Sequence, residues 1–188
     1  MEVLHELAES RAPTYDLVRL GAVEAASRAI QKSGDSVAVL EPATTMLAAL
    51  CVDHAGGVFE HNGHKSCLHV VEVLTGAKKV APLVTIADED VMTSRAVVSA
   101  LKVVERVAAV TSETSGAVEA VFAAMDTFED ATEVTSQCER TLKALGKDDA
   151  AFALKTLRDV QALPLPAIER GDAVVTTKAV ALVSKLGS

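Results

Sequence analysis

Short apolar runs headed by glycine alternate along the chain with longer amphipathic stretches, and the alternation repeats itself. The pentapeptide Gly-Ala-Val-Glu-Ala begins at Gly21 and again at Gly116. A Leu-x-x-Leu pair starts 26 positions after each glycine, with Leu47 and Leu142 as its first members and Leu50 and Leu145 as its second. Self-similarity at a fixed offset is typical of stacked helical units, because no single unit buries its apolar face alone. The pattern predicts an all-α fold of repeated units.

A third glycine-headed run carries extra residues. Gly63 lies 42 positions after the first glycine and 53 before the last. Its apolar pair, Leu101 and Val104, follows after 38 positions instead of 26. We therefore interpret residues 75–86 as an inserted segment. Two alternatives are open for it: it extends the helix or covers an edge of the core, or it projects towards a partner.

A fourth unit lacks the glycine but keeps the apolar pair. Val183 and Leu186 follow the second leucine pair by 41 positions. We expect one domain of about four units, over residues 1–52, 53–109 with the insertion, 110–147 and 148–188. Within each unit we expect a break before the longer helix, where an Asp caps the new helix. The breaks are Ser33-Gly34-Asp35, Asp88-Glu89-Asp90, Glu129-Asp130 and Gly171-Asp172.

Composition agrees with this picture and restricts the classes of partner. Of the 188 residues 49% are apolar but only 3% are aromatic, so the core must consist mainly of Ala, Val and Leu. The net charge is −8 and no cluster of Lys and Arg occurs, which argues against nucleic acid or an anionic membrane as partner. Three scattered cysteines and an acidic, amphipathic start predict a reducing, cytoplasmic location without a membrane span.

A unit of about 42 residues with this order of helices resembles the armadillo repeat. The likeness covers roughly residues 15–186 and is clearest over 47–74, where a long helix, a turn with Val58-Phe59 and the glycine follow one another. It implies a right-handed α-solenoid that acts as a non-enzymatic scaffold or adaptor, for example in a cytoskeletal or ciliary assembly. HEAT-type stacks and talin-like rod bundles fit the same aliphatic pattern. The asparagine ladder of the family's peptide-binding members is missing, since its positions hold Ala49, Val103, Ala144 and Lys185.

One segment is rich in groups that bind metals. Four of the five histidines and two of the three cysteines lie within 19 residues: Cys51, His54, His61, His64, Cys67 and His69. Cys and His are the ligands that zinc prefers, although this spacing matches no standard zinc finger. The competing interpretation makes both cysteines small buried hydrophobes and leaves the first three histidines in a solvated turn. A zinc-binding helical protein is therefore the alternative function.

Other chemistry has little support in the sequence. No glycine-rich phosphate loop, nucleophile elbow or paired-carboxylate motif is present, so we predict neither enzymatic activity nor a cofactor. We predict instead that a basic stripe on the longer helices binds an acidic protein surface. The stripe consists of Arg95, Lys102, Arg106, Arg140 and Lys143.

The last helical segment is too apolar for one buried face. We expect Val180 and Val183 to contact another chain, either a second copy or a larger assembly.

Overall fold

A computed structural model describes residues 14–33, 36–80, 87–111 and 116–146, with the backbone alone at 53, 77–80 and 87–90. All regular secondary structure in these ranges is helical, which confirms the predicted all-α class. The helices are α1 (Thr14–Arg19), α2 (Ala22–Ser33), α3 (Val37–Glu60), α4 (Gly63–Val80), α5 (Ala87–Ala108), α6 (Ala117–Thr127) and α7 (Thr132–Ala144). None of them is both long and apolar enough to span a membrane.

Six of these helices pack in two layers. In one layer α4 lies between α2 and α6, and in the other α5 lies between α3 and α7. Each helix of the first layer also packs on the helix that follows it in the chain, so the pairs are α2 with α3, α4 with α5 and α6 with α7. The most extensive contact joins α3 to α5, and the short α1 packs on α3 and α2. Helix α5 is therefore at the centre of the described structure.

The core between the layers consists mainly of Ala, Val and Leu, as the composition requires. The repeated apolar pairs lie in it: Leu47, Leu50, Leu101, Val104 and Leu142 are fully buried, and Leu145 packs against them half-buried. The largest buried side chain is Phe128, just after α6. Small side chains such as Ala26, Ala100 and Ala124 let neighbouring helices approach closely.

The turns that precede the first-layer helices share one backbone conformation. Gly21 and Gly116 have φ of 86° and 77°, and the third residue of this type is Asn62, with φ of 62°. The carbonyl of each accepts a hydrogen bond from the amide four residues on, at 2.9, 3.1 and 3.2 Å for Gly21, Gly116 and Asn62 respectively. Gly63 is the first residue of α4, as predicted, but the residue in the left-handed conformation at this turn is the one before it. Asn62 takes the equivalent place, because Asn tolerates the left-handed region better than most residues.

Gly63 has a different role, which is close packing. An ideal Cβ placed on it would lie 2.7 Å from Val58 Cγ1 and 3.1 Å from Val23 Cγ1. The side chains of Val58 and Val23 therefore pack so closely on Gly63 that its Cα has room for a hydrogen atom but not for a methyl group. The equivalent positions after the other two turns are Ala22 and Ala117, both buried.

The structure corrects several predicted details of the helix boundaries. The acidic run 88–90 lies inside the first turn of α5 and does not precede the helix. The cap positions of α3 and α7 are Ser36 and Ala131, and neither makes a side-chain capping bond, so Asp does not cap these helices. Val58 and Phe59, expected in a turn, are helical residues of α3, as are Gly56 and Gly57; the helix bends at His54, where φ is −142° and ψ is 51°.

The predicted insertion begins as helix. Residues 75–80 form the end of α4, which at 18 residues is longer than the 12-residue α2. Residues 81–86 lie outside the described part of the chain, as do the predicted fourth unit, 148–188, and its contact residues Val180 and Val183.

Candidate interaction face

Helices α3 and α5 run side by side in register. Thr45 Oγ1 lies 3.5 Å from Ser99 Oγ, and the two residues are 54 positions apart in the sequence. The same offset relates Val52 to Arg106 and Gly56 to Val110, and all four line one groove further along the helices. Asn62 and Gly116 are separated by 54 positions as well. The spacing therefore recurs in the turns and along the helices, which places corresponding residues next to one another.

Buried polar side chains attach α7 to α5. Gln137 Nε2 donates a hydrogen bond to Glu105 Oε2 at 2.6 Å. Thr141 Oγ1 lies 2.9 Å from the Gln137 carbonyl and 3.4 Å from the Leu101 carbonyl. Both Gln137 and Thr141 are almost completely buried, so the two bonds of Thr141 are shielded from water, whereas Glu105 is half-buried. These contacts fix the position of α7 along α5.

The outward side of α3, α5 and α7 is called here the candidate interaction face, and the five predicted basic residues extend along its two later helices. All five are exposed: Arg95, Lys102 and Arg106 on α5, and Arg140 and Lys143 on α7. Lys102 and Lys143 each follow a buried leucine of the repeated pair, so the same register exposes both. Lys143 Nζ lies 2.8 Å from Glu139 Oε1. The other four make no ion pair with any residue that the structure describes.

The two ends of the α5 stripe have different surroundings. Arg95 lines a groove of about 660 Å³ together with Glu129, Asp130 and Glu133, so its charge is partly balanced by nearby carboxylates. Arg106 lines a groove of about 480 Å³ whose other side chains are mostly small or apolar. Arg106 therefore has no carboxylate among the residues that line its groove, in contrast to Arg95.

The predicted metal cluster is dispersed. Cys51 and Cys67 are fully buried, and burial raises the pKa of the Cys51 thiol to about 12 and that of Cys67 further still. His61 Nδ1 lies 2.6 Å from Glu24 Oε1, in the first layer. His54 faces the Tyr15 ring, with the ring centroids 5.7 Å apart.

His64 departs from the solvated turn expected for it. Its side chain is buried, and its ring lies 6.2 Å from the ring of Phe59. His69 is on the surface of α4, with Nδ1 3.7 Å from Glu72 Oε2. Among the described residues no three His, Cys, Asp or Glu side chains converge in a group that could hold a metal ion. The buried cysteines match the hydrophobic interpretation instead.

Sequence reasoning missed several exposed apolar side chains. Val52 and Val110 are each 63% exposed and line the same groove as Arg106. Tyr15 is 59% exposed beside the same region. The signal in the sequence that could have indicated this groove is the offset of 54 positions between Leu47 and Leu101, because the same offset pairs Val52 with Arg106.

No protein-family model, curated protein or solved structure matches this chain.

Proposed function

We propose that the chain is a non-enzymatic protein-interaction module, built as an armadillo-like right-handed α-solenoid of about four units. The paired helices, the two layers and the recurring offsets of 41 and 54 positions support this architecture. The left-handed residue before each first-layer helix supports it too, since one turn conformation recurs between successive units. In this proposal the fourth unit, 148–188, continues the stack beyond α7.

The module binds through the candidate interaction face. The observation that carries this proposal is the run of exposed cations on neighbouring helices of one layer, in a chain with a net charge of −8. Lys102, Arg106 and Arg140 are free of carboxylate partners among the described residues, so binding an anion would break no existing ion pair. A partner with Asp and Glu at matching spacing gains charge-assisted hydrogen bonds and long-range attraction.

The partner is therefore a protein with an acidic surface or segment, as expected of a scaffold within a larger cytoplasmic assembly such as a cytoskeletal or ciliary one. Arg is suited to this task because its planar guanidinium binds carboxylates through two parallel hydrogen bonds.

A peptide-display selection against the immobilised full chain tests the proposal. We expect selected peptides to be enriched in Asp and Glu. We also expect Lys102→Glu with Arg140→Glu to weaken their binding at least about tenfold, or about 1.4 kcal/mol. Both positions are exposed, so the substitutions should leave the fold intact.

The matched control reverses two cations of the other layer, Arg28→Glu and Lys65→Glu, which are also exposed. Their total charge change is the same, so a general effect of net charge would weaken binding equally in both variants. Equal losses, or selected peptides without acidic enrichment, would disprove the proposed face.

A further inference from the structure

The groove of about 480 Å³ that holds Arg106 is located at the bend of α3. It is named here the kink groove. Helix α3 contributes Cys51, Val52 and residues 54–57 to its lining, and the end of α5 with the two residues after it contributes Arg106, Ala109 and Val110. Arg106 therefore belongs both to the kink groove and to the candidate interaction face.

Two aliphatic side chains of the kink groove are open to solvent. Val52 and Val110 are each 63% exposed, although most large apolar side chains of the described residues are buried. Apolar groups that are exposed together in one groove gain free energy when another apolar group covers them. The groove is thus suited to receive an aliphatic side chain.

The space for such a side chain lies over Gly56. An ideal Cβ placed on this residue meets no atom within 4 Å, whereas a Cβ on Gly57 would lie 3.4 Å from Val18 Cγ1 of α1. Gly57 is therefore covered from within the protein and Gly56 is not. Because glycine has no side chain, a group from outside can approach the backbone of α3 closely at this position.

The charge of the kink groove favours an anion beside that aliphatic group. None of the residues that line the groove is Asp or Glu. Arg106 makes no ion pair with any described residue, and Lys102, also exposed, precedes it by one helical turn. A carboxylate would therefore gain the attraction of both cations without displacing an existing partner.

We propose that the kink groove binds a segment of the partner protein that carries a Val, Leu or Ile next to an acidic residue. The aliphatic side chain occupies the space over Gly56 and contacts Val52 and Val110, and the carboxylate pairs with Arg106. This inference rests on the proposed function and adds to it, since the partner is recognised by an apolar anchor as well as by its acidic charge.

The spacing of the groove residues limits the spacing of the two groups in the partner. Arg106 and Val110 are four positions apart, which is about 6 Å along a helix axis. Side chains that far apart on one side of a segment are two positions apart in an extended chain and four positions apart in a helix. We therefore expect the aliphatic residue at one of these two distances from the Asp or Glu.

Random peptides displayed on phage and selected against the immobilised full chain provide the probe. We expect the selected acidic peptides to share a Val, Leu or Ile at one of these spacings. In a synthetic peptide of the most enriched sequence, replacement of this residue by Ala should weaken binding to the native chain at least about tenfold in fluorescence anisotropy. This change leaves the protein itself unaltered.

Gly56→Leu tests the site from the side of the protein. The leucine fills the open space, so the same peptide should bind at least about tenfold more weakly. Gly76→Leu is the matched control, because Gly76 is a helical residue of α4, in the other layer, and its Cβ also meets nothing within 4 Å. Circular dichroism and urea unfolding confirm that both variants are folded.

A smaller change tests the apolar contact alone. Val52→Ser should weaken binding at least about threefold, because it removes aliphatic surface without adding charge. Val91→Ser is its control, since Val91 is 51% exposed and lies in a helix at the other groove. We expect the control to bind the peptide like the native chain.

The outcomes separate this inference from the proposed function. If Lys102→Glu with Arg140→Glu weakens binding but Gly56→Leu and Gly76→Leu bind alike, the acidic partner stands and the apolar anchor is disproved. Selected peptides without acidic enrichment would overturn both. A native chain that sediments as a dimer, dissociated by Gly56→Leu and not by Gly76→Leu, would make a second copy the occupant and overturn the inference.

Discussion

Gly63 and Val58 approach each other so closely that a Cβ on the glycine would lie 2.7 Å from Val58 Cγ1 and 3.1 Å from its carbonyl oxygen. The valine is fully buried and belongs to the segment of α3 beyond the bend, while the glycine is the first residue of α4. The glycine thus determines how tightly the turn between the two helices can close.

Gly63→Ala should destabilise the protein by about 1–3 kcal/mol, because the added methyl group forces the backbone or the valine to move. Gly56→Ala is the control, since a Cβ there meets nothing within 4 Å and the residue is helical. This second change should stabilise by about 0.5–1 kcal/mol. Urea unfolding of both variants measures the difference, and equal stabilities would contradict the close approach.

Asn62 has a φ of 62°, which costs little for Asn but more for a β-branched residue. We expect Asn62→Val to destabilise by about 1–2 kcal/mol. Asn62→Gly should be more stable than Asn62→Val by about the same 1–2 kcal/mol, because glycine adopts this conformation freely. The same denaturant titration compares them. A valine variant as stable as the glycine variant would show that the turn has another conformation.

The buried amide of Gln137 donates to the carboxylate of Glu105 at 2.6 Å and joins α7 to α5. Gln137→Ala should cost about 1–3 kcal/mol, since it removes a charge-assisted bond and leaves an acceptor unsatisfied. Lys143→Ala breaks only a pair at the helix surface, so its cost should stay below about 0.5 kcal/mol. Thermal or urea unfolding measures the stability lost in each variant, and equal losses for Gln137→Ala and Lys143→Ala would disprove the hydrogen bond between α7 and α5.

The three cysteines are buried, and burial raises the pKa of Cys51 and Cys138 to about 12 and that of Cys67 further. In the unfolded chain a thiol titrates near pH 8.5. Below that pH both states hold the proton, so the stabilising effect of the raised pKa is fully present. As the pH rises from about 8.5 towards 12, only the unfolded state gains thiolate, and stability falls by up to about 1.4 kcal/mol per pH unit and thiol.

Urea titrations at pH 7.5, 9 and 10 measure this slope, and Cys138→Ala should reduce it by about a third because one of three similar groups is removed. An unchanged slope in that variant would mean that the loss of stability at high pH comes from other groups.

The parts of the fold that follow from repetition could be predicted from the sequence. The apolar pairs recur in register with the glycine-headed runs, and Leu47, Leu50 and Leu142 of the two leucine pairs are fully buried, while Leu145 is half-buried. The burial of Cys51 and Cys67 follows from their small apolar character. Short-range chemistry was harder to foresee. Nothing in the letters Asn62-Gly63 reveals which residue adopts the left-handed conformation, since both can do so.

The exposed groups of the site show the same division. The exposure of the five basic residues could be predicted, because charged side chains on an amphipathic helix usually face solvent, and all five are exposed. The bend at His54 and the exposed valines beside Arg106 could not be foreseen, because the helix continues past the bend and only the packing of α5 shapes the groove. His64 is buried with its ring 6.2 Å from the ring of Phe59, and no spacing rule predicts that proximity.

The offset between equivalent residues changes from 41 positions to 54 without disturbing the alignment of Thr45 with Ser99. Some of the additional residues form the last turns of α4, which has 18 residues against the 12 of α2. At this edge, the end of α4, the length of the chain differs between units while Thr45 and Ser99 of the packed interior stay paired. For protein engineering, the same edge is the natural place to graft a tag or a foreign binding loop.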